Sequence, residues 1–275
     1  MKKQIVVFLD IDGTLLDVHQ ECNNRTLVDV IASLKKSGMH FGLNSNRAQE
    51  DILPIIEQFG LNGPFILENG AVILEQVDGI PVLADGLELA IPGKVKEALQ
   101  YVITKTFFNA RLHVEDTVKM IREQKPLVGL HFFMNAFRRY SASIHHRRDG
   151  EMSREIAVRL SEELNTYFKQ NGWNLIAQSH THGETVTVEI PGIDKGSALR
   201  SLRKQHPDSI FIAIGDGLGE LALRDQVDFL YAVSNAITPL KEIADATATQ
   251  PMAQGVEELL EKKVRPLLSI DKVAE

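Results

Sequence analysis

The chain of 275 residues is 44% hydrophobic and 24% charged, an ordinary globular balance with room for one large domain or two smaller ones. Its formal charge of −7 has no basic block to offset it, which argues against a nucleic-acid partner. The single cysteine, Cys22, excludes an internal disulfide framework and suits a reducing compartment, so a cytoplasmic location is expected. Lys2 and Lys3 precede an apolar run too short for a signal peptide or a membrane span, so no membrane partner is expected either.

The first element is a continuous apolar run from Gln4 to Asp10, the mark of a strand buried on both faces of a parallel sheet. Leu27, Val30, Ile31 and Leu34 then recur at helical spacing between Asn24 and Ser37, and Gly38 supplies the stop. A strand over Met39 to Ser45, a helix from Ala48 to Phe59 and a strand from Pro64 to Leu67 continue the rhythm. Such alternation predicts right-handed crossovers and a doubly wound α/β sheet. After Asn69-Gly70 the rhythm stops: "AVILEQVDGIPVL" predicts a hairpin turning at Asp78-Gly79.

Between residues 85 and 190 the pattern predicts an α+β module. Its helices fall at Gly93 to Lys105, Val114 to Gln124 and Met152 to Gln170, and its strands at Leu127 to Met134, Tyr140 to His145, Leu175 to Ser179 and Thr185 to Ile190. The earlier rhythm returns with the helix "DKGSALRSLRKQ", the strands "SIFIAIGDG" and "VDFLYAV", and helices near Thr238 and Val256. Residues 1–84 and 191–275 are therefore expected to form one core and 85–190 a domain inserted into it.

In an open parallel sheet, ligands bind outside the carboxyl ends of the strands, where strand order reverses. Asp10, Ser45, Asn69 and Asp216 all fall at such ends. Asp10 and Asp12 lie two apart at a strand terminus, an arrangement costly without a cation, and Gly13 lets the backbone turn sharply beside them. Oxygen-only donors without a Cys/His set favour Mg²⁺ over zinc.

The stretches "DIDGTLL", "ENGAV", "DKGSAL", "GDGLGEL" and "VSNA…ADAT…GV" resemble, in order, the motifs of the haloacid dehalogenase (HAD) superfamily of phosphatases, and within it the Cof-like group with a type IIB cap. The resemblance implies a Rossmann-like core with an inserted α+β cap. It implies further a Mg²⁺-dependent hydrolysis of a small phosphorylated metabolite, a sugar phosphate above others, through an aspartyl-phosphate. Asp10 would be the nucleophile, Asp12 the general acid and base, and Lys195 the lysine that neutralises phosphate charge. Ser45 would supply a hydroxyl to the phosphate, and Asp10, Asp12, Asp216 and Glu220 would form the metal site. Asn46, Arg47, Asn69 and Gly70 are further candidates for phosphate or substrate contact, with Arg47 read as supporting rather than reacting. A phosphosugar mutase of the phosphomannomutase type shares this machinery, and a binding protein that has lost turnover is a second alternative. The oligomeric state is not legible.

"GDGLGEL" departs from the family's Gly-Asp-Gly-x-Asn-Asp: Gly219 replaces an amide and Glu220 is one methylene longer than the usual aspartate. That departure predicts a weakened metal site with a high Mg²⁺ requirement, relieved by Gly219→Asn with Glu220→Asp. In the insertion, Arg138, Arg139, Tyr140, His145, His146, Arg147 and Arg148 form the densest cationic cluster. They are either a solvated edge strand or a clamp for an anionic, hydroxylated substrate, and Arg138, His145 and Arg147 are the candidates for the clamp. Glu184 is a candidate for sugar hydroxyls, while His180 and His182 lack the further ligands a zinc site needs. "RYSASIHHR…VEIPGIDKGSAL" has a weaker likeness to trehalose-phosphate phosphatases.

Overall fold

A computed structural model of the chain describes residues 3–22, 24–85, 87, 91–123, 126–180 and 185–270. They form two compact units: Met1–Arg47, Ile52–Ala84 and Asp194–Glu275 make the first, Ala48–Asp51 and Asp85–Ile193 the second. No helix among the described residues is long and apolar enough to cross a membrane.

The first unit starts at its own centre. Strand β1 (Ile5–Leu9) has no residue more than 3% exposed, and burial of such side chains contributes about 1.5–3 kcal/mol each. Helix α1 (Arg25–Lys36) begins where the Asn24 side chain accepts the Leu27 N–H, and buries the Leu27, Val30, Ile31 and Leu34 stripe. Strand β2 (His40–Asn44), helix α2 (Gln49–Phe59) and strand β3 (Phe65–Leu67) carry the sheet outward. Strands β4 (Val72–Leu74) and β5 (Val82–Leu83) close that edge as an antiparallel pair. The expected hairpin is present with a different connection: Gly79 donates to the Gln76 carbonyl, so Asp78-Gly79 ends a turn that starts at Gln76 inside a longer loop.

The second unit opens with α3 (Ile91–Thr106) and continues through β6 (Arg111–Glu115), α4 (Thr117–Glu123), β7 (Leu130–Asn135) and β8 (Ala142–Arg148). Helix α5 (Arg154–Gln170) and the hairpin β9 (Ile176–Ser179) and β10 (Val186–Glu189) complete it. The sheet order is β6-β7-β8-β10-β9, with β6 parallel to β7 and every other neighbour antiparallel. Ile91, Val95 and Leu99 of α3 and Leu160, Leu164 and Phe168 of α5 form one core with Phe132, Ile144 and Val186 of the sheet. The helix expected over Val114 to Gln124 is corrected: its first residues belong to β6, and α4 starts only after Asp116, which caps the Lys119 N–H. Arg-Leu-His-Val-Glu alternates as an edge strand does, without the apolar run that marks a buried one.

The chain then returns to the first unit with α6 (Lys195–Gln205), β11 (Ile210–Gly215) and a 3₁₀ turn over Leu218–Leu223. It continues with β12 (Phe229–Ala232), α7 (Thr238–Ile243), β13 (Ala246–Thr247), α8 (Met252–Leu259), a π-helical turn over Leu260–Val264 and α9 (Leu267–Ile270). Sheet order is β13-β12-β11-β1-β2-β3-β4-β5, parallel from β13 to β3. Growth runs from β1 to β2 and β3, then resumes on the other side of β1 at β11. The reversal of strand order therefore lies between β1 and β11, and Asp10 and Asp216 are the residues directly beyond those two strand ends.

Candidate active site

The carboxyl ends of β1 and β11 and the start of α6 gather four ionisable side chains. Lys195, the first residue of α6, directs Nζ to Asp10 Oδ1 at 2.6 Å and to Glu220 Oε1 at 2.5 Å. Its backbone is held by a capping box: Asp194 accepts the Ser197 N–H at 2.7 Å, and the Asp194 N–H donates to Ser197 Oγ at 3.0 Å. Gly70 lets the preceding turn close on this one, since a Cβ there would lie 2.1 Å from the Asp194 carbonyl oxygen, and its φ is +98°.

Glu220 is 2% exposed and both its oxygens are used, Oε1 by Lys195 and Oε2 by the Gly217 N–H at 2.9 Å. The room for its extra methylene comes from Gly215, where a Cβ would sit 2.3 Å from Glu220 Cγ. Gly219 leaves room for the lysine, a Cβ there falling 3.3 Å from Lys195 Cδ. Asp216 accepts from Thr14 Oγ1 at 3.2 Å, and Gly13 packs against it so closely that a Cβ would meet its Oδ2 at 2.3 Å. Asp10, Asp216 and Glu220 each offer an oxygen within 4.8 Å of the others.

One ammonium faces three carboxylates, and the imbalance appears in their acidities. Burial, then the charges of Glu220 and Asp216, push Asp10 up to about 8 against the pull of Lys195, and burial with Glu220 pushes Asp216 up to about 6. Burial opposes the charge on Lys195, but Asp10 and Glu220 outweigh it and hold the ammonium above the ordinary lysine range. Two negative charges in excess, on an all-oxygen donor set, fit a hard divalent cation.

Asp12 stands apart from that cluster. Arg47, at 8% side-chain exposure, grips its carboxylate through Nε to Oδ2 at 3.0 Å and Nη2 to Oδ1 at 2.5 Å, while Asp12 itself stays 55% exposed. The surroundings of the carboxylate oppose its ionisation, yet the guanidinium wins and holds it below the usual range. Ser45 is buried with its Oγ accepting the Arg47 N–H at 3.2 Å. The Asn69 N–H reaches the Ser45 carbonyl at 3.2 Å, so the β2 and β3 ends are tied together and Asn46, Arg47, Asn69 and Gly70 fall in adjoining turns.

A sequence profile of haloacid dehalogenase-like hydrolases matches residues 7–260. The chain belongs to this family. It is 26% identical over 245 residues to mannosyl-3-phosphoglycerate phosphatase of Pyrococcus furiosus, covering 84% of this chain and 91% of that one. In fold it is similar to a haloacid dehalogenase-like hydrolase from Bacteroides thetaiotaomicron, with a TM-score of 0.70 at 18% identity over 94% of this chain and 99% of that one. Protein 0175 of Thermoplasma acidophilum is similar at a TM-score of 0.67, 16% identity, and 94% and 98% coverage.

The residues of this HAD-like hydrolase divide by how far the sequence revealed them. Asp10, Lys195, Asp216 and Glu220 come together, and Asp12 pairs with Arg47. Arg138, His145 and Arg147 lie in the second unit. Arg138 is buried and donates to Ser141 Oγ at 2.9 Å, and His145 Nδ1 lies 3.2 Å from Thr185 Oγ1. Residue alternation sets His145 and Arg147 on the sheet face opposite Ile144 and the helix core. Glu184 and His182 fall outside the described residues. Sequence reasoning gave no role to Thr14, to Gln20, or to Asn235, which donates to the Gly13 carbonyl at 2.8 Å and accepts the Met252 N–H at 2.8 Å. Thr14 and Asn235 stood inside quoted motifs, but Asp216 and Gly13, which they contact, lie more than two hundred positions away from them.

Proposed function

We propose that the protein is a Mg²⁺-dependent phosphomonoester hydrolase that passes the phosphoryl group of a small sugar phosphate to Asp10 and then to water. The observation that carries this reading is the contact of Lys195 Nζ with Asp10 at 2.6 Å at the point where strand order reverses. In the first step an Asp10 oxygen bonds to phosphorus as the ester P–O bond breaks, and the departing alkoxide takes a proton from Asp12, which has first received it from the incoming phosphomonoester monoanion. In the second, Asp12 takes a proton from a water whose oxygen bonds to phosphorus, which frees Asp10 and inorganic phosphate. The Arg47 contact favours the ionised Asp12 that this second step uses. Lys195 spreads negative charge off the transferring oxygens, and its tie to Glu220 keeps it there as Asp10 changes charge. Asp10, Asp216 and Glu220, with the Asp12 backbone, would hold the cation, which when bound supplies charge neutralisation beside the phosphoryl group.

Ser45 with Asn46, Asn69 and Gly70 would bound the phosphate pocket. Residues 85–190 would act as the cap that selects the leaving group, with Arg138, His145, Arg147 and Glu184 as its substrate contacts. The mannosyl-3-phosphoglycerate phosphatase relative supports a phosphorylated sugar or sugar derivative as substrate. The single cysteine supports action in a reducing, cytoplasmic setting. The test is a phosphate-release screen over phosphorylated metabolites, hexose phosphates and mannosyl-3-phosphoglycerate included, with Mg²⁺ and with chelator. Chelator-sensitive release from sugar phosphates is expected. Retention of the phosphoryl group on a product sugar would point to a mutase instead, and tight binding without release to a non-catalytic protein.

A further inference from the structure

We propose that Gln20 is a positioning residue for Asp12, fixing with Arg47 the orientation of its carboxylate; the inference rests on the acid and base role proposed for Asp12. Gln20 Nε2 donates to Asp12 Oδ1 at 3.2 Å, and Gln20 Oε1 accepts from Arg47 Nη2, the same nitrogen that binds Asp12 Oδ1. The three side chains close a triangle. Arg47 enters it from the turn after β2 and Gln20 out of the loop after residue 16. Oδ1 thus accepts two hydrogen bonds within the triangle and Oδ2 one, from Arg47 Nε. The carboxylate is thereby held in one orientation from both of its oxygens, the geometry a proton-transferring group needs.

The loop that presents Gln20 is built for the purpose. Asp17 Oδ1 accepts the N–H groups of His19 at 2.9 Å and Glu21 at 3.0 Å, and the Asp17 N–H and carbonyl bind Glu21 and Gln20 at 3.0 Å each. This closure puts Gln20 at φ +66°, where glycine or asparagine is the ordinary occupant. Neither would span to Asp12: glycine has no side chain and asparagine is one methylene short. The backbone favours one residue type and the observed residue is another, a conflict that the Asp12 and Arg47 contacts explain.

Gln20→Asn separates the two requirements, because it suits the backbone and loses the reach; Gln20→Met keeps the length and loses the hydrogen bonds. Both are to be compared with the parent by kcat/KM on a hexose phosphate and on p-nitrophenyl phosphate, whose leaving group needs less proton assistance. Mispositioned acid should cost about ten-fold or more on the hexose phosphate, and several-fold less on the aryl ester. Gln20→Asn should melt no lower than the parent. Equal losses on the two substrates, or no loss on either, would overturn the proposal. A crystal structure of Gln20→Asn reads the geometry without turnover: the Asp12 carboxylate should leave its single orientation, and an unmoved carboxylate would contradict the proposal. If the parent hydrolyses neither ester, the proposed activity fails, and the crystal structures still decide whether Gln20 holds Asp12.

Discussion

Gly13 carries a steric demand at the metal-facing carboxylates, with φ +82° and no room for a Cβ beside Asp216 Oδ2. Gly13→Ala should therefore displace Asp216 and weaken cation binding by roughly 10–100-fold, as changes to the groups that orient a metal ligand commonly do; isothermal titration with Mg²⁺ measures it. Motif IV has a different outcome from the one its sequence suggests. Read as a string, Gly219 and Glu220 look like a weakened copy of Asn-Asp. In the fold they are matched, since Gly215 accommodates the Glu220 methylenes and Gly219 gives Lys195 its path. Gly219→Asn with Glu220→Asp should then crowd Lys195 and shorten its second carboxylate away. We expect the double variant to need more Mg²⁺ for half-maximal activity, not less, in a titration at saturating substrate; a lower requirement would restore the weakened-motif account. What the sequence concealed here was compensation between Gly215 and Glu220 along one turn and between Gly219 and Lys195 on different elements, which no single motif position records.

At the scale of elements, the site depends on where α6 begins. Lys195 occupies the first position of a helix, where the dipole disfavours a cation, and its placement rests on the Asp194 cap and on the anions it meets. Asp194→Ala should cost about 1 kcal/mol of stability, the usual value of a lost N-cap. It should also lower kcat more than it raises KM, because the ammonium serves the transferring phosphoryl group; denaturant unfolding and steady-state kinetics read the two effects. The strands and helices that position this site were legible because each is apolar on the correct period, with Gly13 after β1 and Gly38 after α1 marking their ends: β1, α1, β2 and α6 all fall within a residue or two of expectation. Strand β6 was not, because an edge strand reading Arg-Leu-His-Val-Glu has too few apolar positions to separate it from the start of a helix. The Gln20 loop was illegible for another reason: its hydrogen bonds come from one aspartate and its purpose lies across the site.

For the whole molecule, the buried charge excess makes stability depend on pH and cation together. Asp10 and Asp216 have folded acidities above the ordinary carboxylate value of 3.8, at about 8 and about 6. The folded state thus binds more protons than the unfolded one, and the metal-free protein loses stability as pH rises from about 4 to about 8. A divalent cation binds the ionised forms and offsets the loss. The melting-temperature gain on adding Mg²⁺ should therefore widen between pH 5.5 and pH 8 in calorimetry, and a gain independent of pH would contradict this charge balance. The doubly wound parallel sheet, by contrast, could be expected from alternation alone, since right-handed crossovers leave few ways to arrange such strands, whereas the strand order itself comes from the structure. The account as a whole stands on Asp10 becoming phosphorylated. Its most direct test is acid quench during turnover of a hydrolysed phosphomonoester, reduction with borohydride, and mass spectrometry of the peptide containing residues 4–25. An acyl phosphate at Asp10 is reduced to homoserine, and the account predicts homoserine at position 10 in the parent and none in Asp10→Asn, which should also lack turnover. Hydrolysis without a reducible phosphoryl group at Asp10, or with one at another residue, would contradict it.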